Sequence, residues 1–287
     1  MKVTFGLCVK NSERTIGDTI CSVIEQFYPH EEMEIIVVDG NSSDSTCDIV
    51  KTSLFKTKIR SRVFSDRGRG LGTARQMVID QSTGEYIIYL GDDVTLPKDF
   101  LRTQVEFMDS NPRVGAAIPE SEYKKCQKNF VTAIQNLLFS VIRNMSNGTI
   151  LRRIALNQVG GFDLNIKGAS EDTELMFRIK CSGWKVIVNS KAKFFHGRKE
   201  TLRSLHRRYF WYGYGDHFTN HKHKNMYKVA YYLPPSRLIW GLKLSPKAYR
   251  KYHEKKAFLI PVFCFFASIS WCLGLLISHF DGYGHLV

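Results

Sequence analysis

Residues 34–46 read EIIVVDGNSSDST. The run Ile35 to Val38 is apolar and β-branched without polar alternation, so it predicts a strand buried on both faces and ending at Asp39. Gly40 and the polar residues after it supply a turn, and Ser43 to Ser45 start a helix. The same unit repeats outward in both directions. VTFGLCV (Val3 to Val9) predicts a strand, and Glu13 to Phe27 a helix with Ile16, Ile20, Val23, Ile24 and Phe27 on one face. RVFS is a third strand, LGTARQMVIDQ a helix, and EYIIYL a fourth strand ending at Gly91-Asp92-Asp93. Pro97 to Met108 is another helix and VGAAIP a fifth strand. Strand–helix repetition of this kind predicts an α/β, Rossmann-like, mostly parallel sheet with flanking helices. Ligands of such sheets bind outside the carboxyl ends of the strands.

The chain has 287 residues, 44% hydrophobic and 24% charged, which excludes disordered and low-complexity classes. Its formal net charge of +14 is unevenly placed. Gly197 to Lys256 holds fifteen Lys or Arg against three acids, while the remainder is almost balanced. AFLIPVFCFFASISWCLGLLIS follows, Ala257 to Ser278, without a charge. Twenty-two helical residues reach ~33 Å, about the hydrocarbon thickness of a bilayer. A soluble core helix is the plainer alternative; membrane attachment is favoured, as a single C-terminal span rather than a surface anchor. KAYRKYHEKK before the run, and no Lys or Arg after it, place the main domain in the cytoplasm at the cell membrane. The opening MKVTFGLCVKNSERT has no secretory apolar stretch. Seven scattered cysteines fit reduced thiols. The Asn-x-Ser/Thr triplets at Asn41, Asn144 and Asn147 are then chance matches. The expected organisation is 1–200 as the globular domain, 201–256 as a basic, aromatic, amphipathic juxtamembrane segment, 257–278 as a transmembrane helix and 279–287 as a tail.

Asp39 and the pair Asp92-Asp93 fall at strand ends. A lone carboxylate there is as readily a turn former or cap. Adjacent carboxylates on the rim of an apolar strand repel unless a cation or donor groups compensate. Such oxygens suit Mg²⁺ or Mn²⁺, bound by few protein carboxylates together with substrate phosphates.

Downstream the rhythm changes. FVTAIQNLLFSVIRNM predicts a packing helix, and GASEDTELMFRIKCSGW places Glu171-Asp172 at a helix start, where acids also favour the helix dipole. WKVIVN and AKFFHG predict two short strands, the second ending at His196. A single histidine is weak evidence; near an acidic pair it becomes a plausible third ligand.

VVDGNSSDST, ARQMVIDQSTGEYIIYLGDDVTLP, VGGFD, ASEDTELMFRI and His196 occur in an order and spacing that resembles family-2 glycosyltransferases of the GT-A fold, over roughly residues 2 to 200. The resemblance implies sugar transfer from a nucleotide-sugar donor, typically a UDP-sugar, with a divalent cation and inversion. It implies that Cys8, Lys10, Asn11 and Glu13 lie against the nucleoside, that Asp39 bonds the base, and that Arg75 holds base or diphosphate. Asp93 matches the last carboxylate of the family's Asp-x-Asp metal motif and Asp92 its middle position, on the donor. Gly91 stands where the first Asp is usual. His196 matches a position that completes the metal's coordination. Asp172 matches the catalytic base, with Glu171 beside it, and Gly160 to Asp163 shape the acceptor side.

That chemistry has its own logic. A departing diphosphate gains negative charge, which a carboxylate-held cation offsets. An acceptor hydroxyl needs a carboxylate to take its proton. A lipid-phosphate acceptor, as in polyprenyl-phosphate glycosyl synthases, needs no such base, so Glu171-Asp172 favours a hydroxyl on a lipid-linked or membrane-proximal glycan. LRSLHRRYFWYGYGDHFTNHKHKN interleaves cations with aromatics, as nucleic-acid surfaces do. Beside an apolar run it fits the headgroup zone better, with membrane lipids rather than nucleic acid as partner. Arg207, Arg208 and Trp211 faintly resemble the Arg-Trp motif of processive synthases and are acceptor-side candidates; simple surface anchoring is the equal alternative. An inactive sugar-nucleotide-binding tether is the rival of another class, resting on Gly91.

Overall fold

The computed structural model describes residues 1–123, 129–142, 147–197, 201–224, 226 and 228–286. Asn144, and the end of the packing helix expected beyond residue 142, lie outside them. The chain divides into two compact units, with the division falling inside one helix between Glu174 and Leu175.

The first unit comprises Met1–Glu122, Asn144–Leu164 and Leu175–Arg198. Strands β1 (Val3–Val9), β2 (Met33–Asp39), β3 (Arg60–Ser65), β4 (Tyr86–Leu90), β5 (Val94–Thr95), β6 (Val114–Glu122), β7 (Ile150–Arg152) and β8 (Lys185–His196) form one sheet in the order β3-β2-β1-β4-β7-β6-β8-β5. β7 and β5 run against the other six. The continuous apolar strands have the predicted cause: alternate residues feed two cores. Phe5, Leu7, Ile35, Val37 and Ile88 pack with Ile16, Ile20 and Val23 of α1 (Ile16–Ile24) and Val50 of α2 (Thr46–Phe55). Phenylalanine 100 and Val105 of α4 (Phe100–Asp109) join that layer. Ile36, Val38, Ile87 and Tyr89 pack on the other face with Ala74 and Val78 of α3 (Leu71–Gln81), Leu156 of α6 (Arg153–Val159) and Leu175 and Ile179 of α7 (Glu171–Cys181). Each fully buried Ile or Phe contributes roughly 1.5–3 kcal/mol.

Two local expectations are corrected. WKVIVN and AKFFHG are one strand, not two, because the break between them is a bulge. Pro119 pairs with Asn189 and Glu120 with Lys193, so residues 190–192 are looped out of the ladder without ending it. The first helix starts at Ile16 rather than Glu13, because Thr15 before it, with φ −132°, lies outside the helical conformation.

The second unit comprises Tyr123–Arg143, Asn165–Glu174 and Lys199–Val287. It contains α5 (Phe130–Phe139), the first turn of α7, α8 (Leu202–Lys222), α9 (Pro234–Tyr252) and α10 (Ile260–Phe280). Thr201 and Ser204 form a reciprocal capping box at the start of α8. α8 and α10 lie side by side and parallel: His206 meets Ser270 at 2.8 Å and His217 meets Ser278 at 3.1 Å. Between these contacts, Gly213 lies against the Trp271 carbonyl and Gly274 against the Phe210 carbonyl, and a methyl group at either would collide with backbone. The segment Lys255–Phe280 is long and apolar enough to cross a membrane, with mean hydropathy 2.2, and half of it is buried. Its outer face exposes Phe258, Val262, Phe266, Ile269, Leu273, Leu276 and Phe280 at helical spacing.

Candidate functional site

In the first unit, strand register builds a rim. Val9 pairs with Asp39, Asp39 with Ser65, and Leu7 with Leu90, so the carboxyl ends of β1, β2, β3 and β4 stand level. Asp39 is buried and accepts from the Ser42 N–H at 3.1 Å and the Ser42 hydroxyl at 2.6 Å. Ser42 in turn accepts the Asn11 N–H at 3.0 Å, and Asn11 Oδ1 accepts the Ser43 N–H at 2.9 Å. Asn11 has a left-handed φ of 52°, a conformation that asparagine tolerates well. The loop after β1 is thus laced to the turn after β2. Cys8 is half-buried on β1, Lys10 is exposed beyond it, and Glu13 braces the turn by accepting the Ser45 N–H at 3.2 Å. Burial, and then the Asp39 carboxylate beside it, push the Cys47 thiol pKa up.

β1 lies between β2 and β4, so the strand order reverses between β1 and β4, the crevice where ligands of open α/β sheets bind. Across that crevice the Ser12 hydroxyl donates to Asp92 Oδ2. Asp93 is buried, and its carbonyl accepts the Gly197 N–H at 2.6 Å. The two-residue β5 pairs antiparallel with the end of β8, setting Val94 opposite His196. Asp93 and His196, 103 positions apart in numbering, are therefore brought to one place by a ladder of two rungs. The His196 ring stands edge-on to Phe194 at 5.0 Å.

Gly91 has a physical reason for lacking a carboxylate. Its N–H donates to Asn147 Oδ1 at 2.9 Å. A Cβ there would stand 3.0 Å from Asp93 Oδ1 and 3.1 Å from Asn147 Oδ1. A side chain at position 91 therefore requires the ends of the Asp93 and Asn147 side chains to give by a few tenths of an ångström.

Asp66, after β3, escaped the sequence reading. It is 1% exposed and accepts the N–H groups of Gly68 at 2.7 Å and Gly70 at 3.1 Å, while its own N–H donates to the Asp39 carbonyl at 3.1 Å. It thereby shapes the loop bearing the exposed Arg67 and Arg69 beside Asp39. The signal was an acid followed by RGRG directly after a strand. Arg75 of α3 lies with its guanidinium 5.8 Å from the rings of both Tyr89 and Phe162. Gln76 accepts the Phe162 N–H at 2.8 Å and so fixes the Gly160 to Asp163 corner.

The remaining candidates belong to the second unit. Glu171 is buried and Asp172 half-buried, with Asp172 Oδ1 accepting the Thr173 N–H at 2.7 Å. Helix α8 packs on this segment. Ser170 donates to Asp216 at 2.5 Å, Glu174 is paired with Lys222 at 3.2 Å and His223 at 2.7 Å, and Trp211 lies over Gly168. The Trp271 indole donates to the second oxygen of Asp216 at 2.7 Å, linking α10 to the same point. Arg207 is exposed and Arg208 half-buried on α8, one turn before Trp211. Glu174 and Asp216, both buried and paired, were not singled out from sequence.

The sequence profile described as "Glycosyl transferase family 2" matches residues 4–168, more than half of the chain. The chain belongs to glycosyltransferase family 2. It is 27% identical over 203 residues to "Probable glycosyltransferase YdaM" of Bacillus subtilis (strain 168), covering 64% of this chain and 48% of that protein. It is 28% identical over 204 residues to "Beta-monoglucosyldiacylglycerol synthase" of Synechocystis sp., covering 65% and 42%. The chain spans about half the length, or less, of these curated relatives. Among solved structures, "Mannosyltransferase PcManGT from Pyrobaculum calidifontis in complex with GDP-Man and Mn2+" superposes with a TM-score of 0.72 at 18% identity, covering 98% of this chain and 87% of that one. TarS of S. aureus in complex with UDP-GlcNAc superposes at 0.58 with 15% identity, covering 99% and 92%. These likenesses identify the fold as GT-A type.

Proposed function

We propose that the chain is an inverting, divalent-cation-dependent glycosyltransferase that moves a sugar from a nucleoside-diphosphate donor, a UDP-sugar first, to a hydroxyl of a lipid-linked or membrane-proximal glycan. The observation that carries this reading is the rim that strand register assembles from Asp39, Asp92, Asp93 and His196. Asp39, held by Ser42, is oriented to accept an N–H from the base. Asp92, engaged by Ser12, faces the ribose side, and Arg75 with the Arg67–Arg69 loop supplies cationic charge for the diphosphate. Asp93 and His196 would hold the cation, and their donor set suits it: carboxylate oxygen with one imidazole fits Mn²⁺ at least as well as Mg²⁺. That ion, when bound, offsets charge on the departing diphosphate. Asp172 takes the proton of the acceptor hydroxyl as its oxygen bonds to C1 of the sugar, the C1–O bond to phosphate breaks, and the nucleoside diphosphate leaves.

The second unit supports a place at the membrane surface. α10 carries an apolar stripe outward, yet the inner face of its C-terminal half is bound by α8, which bears Arg207, Arg208 and Asp216. Taking α10 through hydrocarbon would drag those charges with it, at several kcal/mol each. An anchor lying in the interface, with α10 below and the exposed Lys243, Lys247 and Arg250 of α9 available to anionic headgroups, satisfies both faces.

A panel of UDP- and GDP-sugars, incubated with the protein and Mn²⁺ and read by nucleoside diphosphate release, tests the donor assignment. Release from one donor, lost on chelation, is expected; no release from any donor contradicts it. Mass analysis of the product separates glycan extension from sugar linked directly to a lipid phosphate.

A further inference from the structure

The second unit gathers three imidazoles that play no part in the proposed transfer. His217 comes from α8, His279 from the last turn of α10, and His285 from the 3-10 turn Tyr283–His285. Their ring centroids are 5.4 Å (217 to 279), 5.8 Å (217 to 285) and 5.2 Å (279 to 285) apart. One ligand-capable nitrogen from each lies within 4.8 Å of the others. His285 Nε2 stands 3.3 Å from His279 Nδ1. Two nitrogens each bound at 2.0–2.1 Å to one tetrahedral ion are separated by about 3.3 Å. A hydrogen bond between those two rings would account for that pair alone. It would not account for His217, whose ring reaches the group because position 284 is glycine: a Cβ on Gly284 would collide with it.

The surroundings fit a metal-binding set. Ser278 Oγ lies 3.1 Å from His217 Nδ1, an outer contact of the kind that orients a ligating imidazole, and it leaves Nε2 to bind. A fourth imidazole, His221, lies 4.7 Å from His285, centroid to centroid. An all-nitrogen set selects borderline transition ions over Mg²⁺ or Mn²⁺, which prefer oxygen.

We propose that His217, His279 and His285 form a binding site for a borderline divalent transition metal, Zn²⁺ by its chemistry, that staples the end of α10 and the turn after it to α8. The site uses none of the residues assigned to the donor, and its ion is of a different class from the one that Asp93 and His196 suit.

The test uses the full chain without a histidine tag. Zn²⁺ is titrated in the presence of excess Mn²⁺, with bound metal counted by elemental analysis and Co²⁺ used as a spectroscopic probe of nitrogen coordination. One Zn²⁺ per chain and a rise in Tm are expected. His217→Ala and the double variant His279→Ala/His285→Ala should each weaken binding at least tenfold while leaving nucleoside diphosphate release with Mn²⁺ unchanged. His285→Cys, which keeps a zinc ligand, should retain binding, and His206→Ala, which removes an imidazole outside the group, should have no effect. The proposal is overturned if no saturable Zn²⁺ binding occurs, or if binding persists in both His217→Ala and the double variant. Loss of Zn²⁺ binding with transfer intact, or the reverse, separates this proposal from the transferase assignment.

Discussion

The Gly91 N–H donates to Oδ1 of Asn147 at 2.9 Å, so the turn that carries Asp92 and Asp93 is held from outside by a residue 56 positions later. Asn147→Ala leaves that N–H without its partner, at a cost of about 1–3 kcal/mol, and frees the turn. The donor KM should rise roughly tenfold, with the acceptor KM unchanged, as steady-state kinetics would show; an unchanged donor KM contradicts the bracing role. Gly91→Asp, which restores the family's usual residue, should reduce Mn²⁺-dependent turnover rather than raise it, because its Cβ presses on the ends of the Asp93 and Asn147 side chains and displaces them.

Acid sensitivity is expected from the far end of the sheet. Glu34, fully buried on β2, accepts from the Thr4 hydroxyl at 2.6 Å, the Thr83 N–H at 2.5 Å and the Gly84 N–H at 3.2 Å. Burial pushes its pKa up, but these donors together outweigh it and hold the carboxyl below its ordinary value of 4.5. A depressed carboxyl pKa contributes stability that is fully present above about pH 4.5 and is lost as pH falls through the lower folded value. A plot of Tm against pH should bend downward below that point, and Glu34→Gln should flatten the bend while lowering Tm at neutral pH. A wild-type acid limb identical to the variant's would count against Glu34.

Much of the rim was legible from sequence because its strands are short apolar runs that end in acids. Asp39 and Asp92-Asp93 could be placed at strand ends from that pattern alone. The partnership of Asp93 with His196 came from the family resemblance and not from periodicity, because it depends on β5, a two-residue strand with no pattern to detect. Asp66 was passed over because DRGRG has the composition of any surface loop, and its role lies in backbone N–H groups that no residue pattern displays. The charge-free run 257–278 was legible as an apolar helix. Its packing was not, since Gly213 meets Trp271 and Gly274 meets Phe210 only when α8 and α10, distant in sequence, are laid together.

That packing can be broken by one methyl group. Gly274→Ala sets a Cβ into the Phe210 carbonyl, and overpacking of this kind costs about 1–3 kcal/mol. Tm should fall by several degrees, whereas Leu276→Ala, on the exposed stripe, should leave it nearly unchanged. Equal effects of the two substitutions would contradict the α8–α10 contact.

The exposed stripe of α10 should govern attachment rather than folding. Phe266→Glu with Leu273→Glu is expected to abolish co-sedimentation with vesicles containing anionic phospholipid, with Tm retained. Attachment should also weaken as salt rises, through screening of the α9 cations. Vesicle binding that survives the double substitution would contradict the interfacial anchor.

The division of labour between donor and acceptor sides is tested most directly by comparing Asp93→Ala and Asp172→Asn with the wild type in one transfer assay, alongside calorimetric titration of the donor with Mn²⁺. Asp172→Asn should bind donor normally and lose transfer by ~10²–10⁴-fold, the usual contribution of a general base. Asp93→Ala should lose Mn²⁺-dependent donor binding together with transfer. Transfer at wild-type rate in both variants would contradict the assignment of these carboxylates.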